Sequence, residues 1–143
     1  MDVIQIHDRW GAGMSETEKI TINLGLVDLG QIDLLVQEGF YTNRTDFIRT
    51  AIRNQLATHA DEVRQTVARK TLVLGLERYS RQDLESVREA GETLEINVLG
   101  LASIDDDVGP ELARETISSL NVLGALRASQ AVKSALRDRI QSP

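Results

Sequence analysis

Apolar and polar positions alternate strictly over "EKITINL", Glu18–Leu24. Ile20, Ile22 and Leu24 fall on one side of a pleated strand, and Lys19, Thr21 and Asn23 on the other. Gly25 ends the pattern, and the period then changes. Leu29, Ile32, Leu35 and Val36 recur at helical spacing, with Asp28 as a cap or first-turn acid, which predicts a helix through Glu38. Gly39 follows as a stop that takes positive φ without strain. In "FYTNRTDFIRTAIRNQL", Thr42 or Asn43 caps a second helix, with Asp46 three residues after Asn43 as in a capping box. Phe47, Ile48, Ala51, Ile52 and Leu56 form its buried face. Arg49 and Arg53 share a flank, where solvent or nearby acids satisfy them.

One strand and two short helices cannot close a core, and a strand's backbone groups need partners. Val3–Trp10 is one candidate, but the connecting loop is long for a hairpin. A second copy of the chain is the better solution. Two strands run antiparallel as a ribbon, the apolar sides face a shared core, and folding becomes inseparable from dimerisation. Lys19, Thr21 and Asn23 of both copies then face outward.

These residues carry a resemblance. "EKITINL", an amphipathic helix and "GFYTNRTDFIRTAI" resemble the ribbon-helix-helix family of bacterial DNA-binding proteins, the CopG and Arc-like group. The likeness covers Glu18 to Leu56, and its more specific part is the run Gly39, Tyr41, Asn43, Arg44, Thr45, Asp46, Ile48, Arg49. It implies that the ribbon enters the major groove of double-stranded DNA with Lys19, Thr21 and Asn23 reading base edges. It also implies that Thr42, Asn43, Arg44 and Thr45 grip backbone phosphate. The chemistry is compatible. Lys donates to guanine, Asn pairs two-pronged with adenine, and Thr bonds or touches a thymine methyl. A helix start with Arg44 beside it favours an anion.

From His59 to Lys70 the chain is polar without Pro or Gly, and reads as a linker or a continuing helix. A repeat follows. V-L-G recurs at Gly75, Gly100 and Gly124, with spacings of 25 and 24 residues. Five residues after each Gly stands a capping type, Ser80, Asp105 or Ser129, and then an amphipathic helix. Pro110 suits the first turn of the middle one. Three strand-helix units predict a small parallel sheet with helices on one side, or a short solenoid. The glycines relieve crowding between neighbouring backbones. Open sheet edges invite pairing with another copy. The repeat therefore serves assembly, with ligand sensing as the alternative. The expected fold class is α+β. Residues 1–14 form an extension and 15–60 the ribbon-helix-helix region. Residues 61–70 form the linker, and 71–143 the repeat. Met14 is a possible start.

Composition narrows the chemistry. Aromatic residues make up 3% of the 143 and cysteine is absent, so the core is aliphatic and Cys-ligated zinc is excluded. The net charge of −6 argues against broad charge-driven binding to nucleic acid. Residues 1–70 carry 8 basic and 10 acidic groups, and 71–143 carry 8 and 12, so the first half is the less repelled. No apolar run reaches the roughly 18 residues that span a bilayer, and no secretion signal is visible. Asp105, Asp106 and Asp107 lack the spacing of a calcium loop and sit at a predicted helix start. The family resembled includes a nickel-responsive repressor that depends on a His cluster and a Cys. With only His7 and His59 here, nickel sensing and a His-based triad are both rejected. Ser80 and Ser129 are caps, and Tyr79 and Trp10 are packing residues. No enzyme, metal site or cofactor is expected. The expected function is a cytoplasmic, nucleoid-associated bacterial repressor. It would bind its operator as a homodimer through the N-terminal strand, with higher oligomers through the repeats. An antitoxin that also binds a toxin, or a self-assembling structural protein, are the rivals.

Overall fold

The computed structural model describes residues 17–141. The Val3–Trp10 candidate strand, the extension with Met14, His7 and Trp10 all lie outside the described residues. The chain divides into two compact units, one over residues 17–66 and one over the described residues from 67 onward. It is an α+β protein with six α-helices and a four-stranded parallel sheet among the described residues.

The first unit holds α1 (Leu26–Gln37) and α2 (Arg44–Thr58). Gly39, with φ of 85°, ends α1 as the spacing predicts. The Gly39 N–H donates to the Val36 carbonyl at 3.1 Å and the Phe40 N–H to the Leu35 carbonyl at 2.9 Å. Together these form a Schellman motif that satisfies two end carbonyls. The α2 face expected to be buried is only partly so. Phe47 and Ile48 are half-covered, while Ala51, Ile52 and Leu56 are exposed. α3 (Ala60–Arg69) begins just after a break at His59 and takes up the stretch read as linker or helix.

The second unit builds β1 (Val73–Tyr79), α4 (Arg81–Glu89), β2 (Leu94–Ile104), α5 (Pro110–Thr116), β3 (Ile117–Arg127), α6 (Gln130–Ala135) and β4 (Ile140–Gln141). A short 3-10 turn, Arg137–Arg139, precedes β4. The strands stand side by side in chain order, all parallel. α4 packs on α5 and α5 on α6. The core lies between these helices and the sheet. Leu84, Ile96, Val98, Ala102, Ile117, Leu120, Val132 and Leu136 are almost wholly buried there. It contains no aromatic ring at its centre; Tyr79 packs at the margin.

The repeat predicted from V-L-G sets the register. Val73, Val98 and Val122 stand in one row across the sheet, Leu74, Leu99 and Leu123 in the next, and Gly75, Gly100 and Gly124 in the third. The glycines share φ values of 126°, 141° and 122°, where side chains are strained. A Cβ on Gly100 would stand 2.1 Å from the Gly75 carbonyl oxygen, and one on Gly124 2.1 Å from that of Gly100. Neighbouring backbone thus fills the place of the side chain. This is the crowding that the sequence pattern suggests.

Two of the three predicted caps hold. Ser80 and Asp83 form a reciprocal capping box on α4, with Asp83 N–H to Ser80 Oγ at 3.1 Å and Ser80 N–H to the Asp83 carboxylate at 3.0 Å. Ser129 Oγ accepts from the Val132 N–H at 3.2 Å. Asp105 does not cap. α5 starts five residues later, with Pro110 in its first turn and Gly109 as an N-cap without a side-chain bond. Asp105 instead accepts a two-pronged contact from Arg78 at 2.8 and 2.7 Å, tying the end of β1 to the loop after β2. At the far side, Arg114 donates to the Ala135 carbonyl at 2.7 Å and to the Asp138 carboxylate, and Arg139 donates to the Ile117 carbonyl at 2.7 Å. These arginines satisfy carbonyls that the ends of helices and strands leave unpaired.

The ladder predicts unequal costs at its three rungs. Gly75→Ala meets no atom within 4 Å and adds only backbone strain, about 1–3 kcal/mol. Gly100→Ala adds overlap with a carbonyl, for a loss on the order of 4 kcal/mol or more. Urea unfolding of the two variants measures the difference, and equal losses would show that neighbouring backbone does not set the row. A second expectation concerns acid. The Ser80 hydrogen bonds hold Asp83 below the ordinary aspartate value. Its contribution is therefore full above the unfolded-state pKa and is lost as pH falls through the lowered folded one. Asp83→Asn removes that acid-sensitive component, which unfolding curves taken across the acid range would detect.

Candidate nucleic-acid interface

Residues 17–25 precede α1 and lie outside every helix and outside the four-stranded sheet. Lys19, Thr21 and Asn23 are exposed. So are the apolar residues between them: Ile20 is 74% exposed, Ile22 60% and Leu24 39%. Leu26, Val27, Leu34 and Phe40 add to this surface. In the whole 17–66 unit only Ile32 is buried. Such a density of exposed large apolar side chains is far from the scattered pattern of an ordinary surface.

The second cluster is the start of α2, where Thr42, Asn43, Arg44 and Thr45 come together, all exposed. Asn43 is the N-cap, its side-chain oxygen accepting the Asp46 N–H at 2.8 Å. Asp46 does not close a capping box back to Asn43. Its carboxylate reaches one residue further and accepts the Thr42 N–H at 2.9 Å. The turn is thereby held from both sides. Tyr41 and Phe47 meet edge to face behind it, their centroids 4.9 Å apart. The N–H groups of Arg44 and Thr45, in the first turn, have no intrahelical acceptor by helix geometry. With the helix dipole they make a place where an anion is favoured.

Arg44 has a partner that spacing does not reveal. Its Nε and Nη2 donate to the two oxygens of Asp33, on α1, at 2.7 and 2.8 Å. The Arg44 hydrogen bond holds Asp33 below the ordinary carboxylate range, and Asp33 in turn raises Arg44. Asp33 is therefore ionised at neutral pH, and the pair loosens only as pH falls through that lowered pKa. Both side chains are about half exposed, so the contact is screened and exchangeable. Arg49 and Arg53, further along α2, form no ion pair among the described residues.

No group of His, Cys, Asp and Glu among the described residues is placed to hold a metal ion. No helix among them is long and apolar enough to cross a membrane.

The family model described as the Ribbon-Helix-Helix transcriptional regulator family matches residues 15–133, most of the 143-residue chain. The match takes in residues of both units rather than the first alone. No curated protein and no solved structure matches the chain.

The Arg44–Asp33 ion pair yields one expectation. Asp33→Ala frees the guanidinium at the start of α2, and if Arg44 reaches backbone phosphate each protomer would neutralise about one more phosphate of duplex DNA. The plot of log affinity against log salt should then steepen by about 1 for each additional phosphate neutralised. Fluorescence anisotropy over a salt series measures it, and an unchanged slope would remove Arg44 from the phosphate-binding set.

Proposed function

The chain belongs to the ribbon-helix-helix transcriptional regulator family, and on that premise we propose that it is a sequence-specific DNA-binding repressor acting as a homodimer. Residues 18–24 of two copies pair antiparallel into a ribbon. Ile20, Ile22 and Leu24 of both turn into a core shared with α1 and α2. Lys19, Thr21 and Asn23 of both turn outward into the major groove, which admits a two-stranded ribbon. The first turn of α2, with Thr42, Asn43, Arg44 and Thr45, sits on backbone phosphate and sets position, while the ribbon sets sequence. Repression follows from occupying the operator.

The observation that carries this reading is the apolar half of the 17–66 unit. A unit with a single buried residue does not hold a fold by itself. An apolar side shared with a twin accounts for Ile20, Ile22, Leu24, Ile52 and Leu56 at once. The alternation along 18–24 then fixes what is left for DNA, since turning one set inward turns the other outward. Net charge fits a protein that relies on base contacts rather than on bulk attraction. Six base-reading side chains per dimer, each worth about 1–3 kcal/mol of discrimination, suffice to separate an operator from other DNA.

The test is binding of the full chain to a genomic fragment library, followed by anisotropy on the selected site. Changing Lys19, Thr21 and Asn23 together to Ala should reduce selective binding to the level of random DNA. The dimer should remain in sedimentation and the helical signal should be unchanged. Selective binding that survives the triple change refutes the assignment of the base-reading residues. A monomeric wild-type chain refutes the ribbon.

A further inference from the structure

α1 carries apolar side chains on two sides, about half a turn apart at helical spacing. Leu29, Ile32, Leu35 and Val36 make one side and are partly or wholly buried. Leu26, Val27 and Leu34 make the other, and stand 85%, 76% and 56% exposed. Val27, Gly30 and Leu34 follow one another at i, i+3 and i+7, which sets them in a single row along the helix. Gly30 sits within that row, and nothing stands within 4 Å of the place of its missing Cβ. The row is thus two apolar ridges with a gap between them. It is not a surface for phosphate, because α1 has no Lys or Arg and Glu38 follows it directly.

This row is self-complementary under a two-fold axis. Val27 and Leu34 lie at equal distances from a centre between Gly30 and Gln31. A second α1 laid antiparallel across the first at that centre sets Val27 opposite Leu34 at both ends. The two Gly30 residues then meet near the crossing, where the missing side chains let the helices approach. The ends match as well. Gly25 caps α1 without a side-chain hydrogen bond, so first-turn N–H groups lack an acceptor and carry the positive end of the helix dipole. Asp28, the acid of that turn, lies on the other side of the helix. The Glu38 carboxylate has no hydrogen bond or ion pair among the described residues. Glu38 lies about 11 Å from the centre along the axis, and Leu26 about 7 Å. A helical side chain leans toward its own N-terminus, here toward the centre, so each Glu38 reaches the start of the other α1. A parallel arrangement sets like ends together and loses this match.

We propose that α1 of one molecule packs antiparallel on α1 of a second through Leu26, Val27 and Leu34, with the two Gly30 residues at the crossing. The same patch serves both molecules, so the contact closes on itself. One pair of short helices buries less than the roughly 1,200 Å² of a stable interface. The contact is therefore weak in solution and gains strength where two molecules are already held near each other. It uses the side of α1 turned away from α2 and does not depend on the ribbon proposed for residues 18–24.

The absence of cysteine makes the register directly readable. Full-length Val27→Cys and Leu34→Cys variants, each with an unchanged circular dichroism spectrum, are oxidised separately and as a mixture. Helices packed about 8 Å apart bring facing positions within the reach of a disulfide, whereas Val27 and its own counterpart lie about 10 Å apart along the axis. The expected cross-link forms in the mixture and in neither variant alone. Its product sediments at no less than twice the mass of the species that the wild type forms when dilute. No cross-link in the mixture overturns the proposal, and so does a cross-link in either variant alone, which reports a different contact. A mixed product of unchanged mass also overturns it, because this side of α1 then belongs to the ribbon pair. As a second measurement, Glu38→Lys added to both variants should slow cross-linking of the mixture about threefold or more, since a cation then meets the positive end of the other helix. An unchanged rate overturns the antiparallel arrangement. A wild type that is monomeric when dilute refutes the ribbon alone, since a cross-linked pair of such monomers still shows the doubled mass expected here.

Discussion

Apolar surface that a chain cannot bury by its own folding must be buried by something else, because exposure of each large aliphatic side chain costs about 1.5–3 kcal/mol. That constraint governs the first unit. It has two helices, one buried side chain and an alternating segment whose apolar half is exposed. Everything proposed for DNA follows from what covers that half. If a twin covers Ile20, Ile22 and Leu24, the geometry of a pleated strand leaves Lys19, Thr21 and Asn23 outside. The same logic would make apparent affinity for DNA depend on protein concentration, since the proposed reading surface is complete only in the assembled pair.

The second unit solves the opposite problem. It has a well-filled aliphatic core between helices and sheet, so it needs no partner for burial. Three identical V-L-G stretches place three glycines in one row, and the direction of the carbonyls along that row gives the sheet a polarity. A polar ladder has unlike ends.

The start of α2 shows how local and tertiary chemistry combine. Asn43, Asp46 and Thr42 lock the turn through hydrogen bonds within a few residues. The charge beside that turn is set from another helix, where Asp33 holds Arg44. An exposed ion pair of this kind contributes little to stability; on the function proposed above it would set how much cation is available to a phosphate.

Local patterns of the sequence determined most of the elements. Gly39 as the stop of α1, Asn43 as the cap of α2, and Ser80 and Ser129 as caps in the repeat were all legible, because a cap is settled by a few adjacent residues. The parallel sheet was legible too, since a repeat of 24–25 residues fixes register wherever identical strands meet. The failures are those of residues whose partners lie far along the chain. Asp105 occupies a cap position by spacing, yet it serves Arg78, 27 residues away, because the loop before Pro110 moves the helix start downstream. Arg44 reads as a free cation, yet Asp33 on the other helix neutralises it. Only tertiary structure decides such pairings, because they depend on which side chains the packed helices and strands bring within bonding distance, and no periodicity along the chain records that.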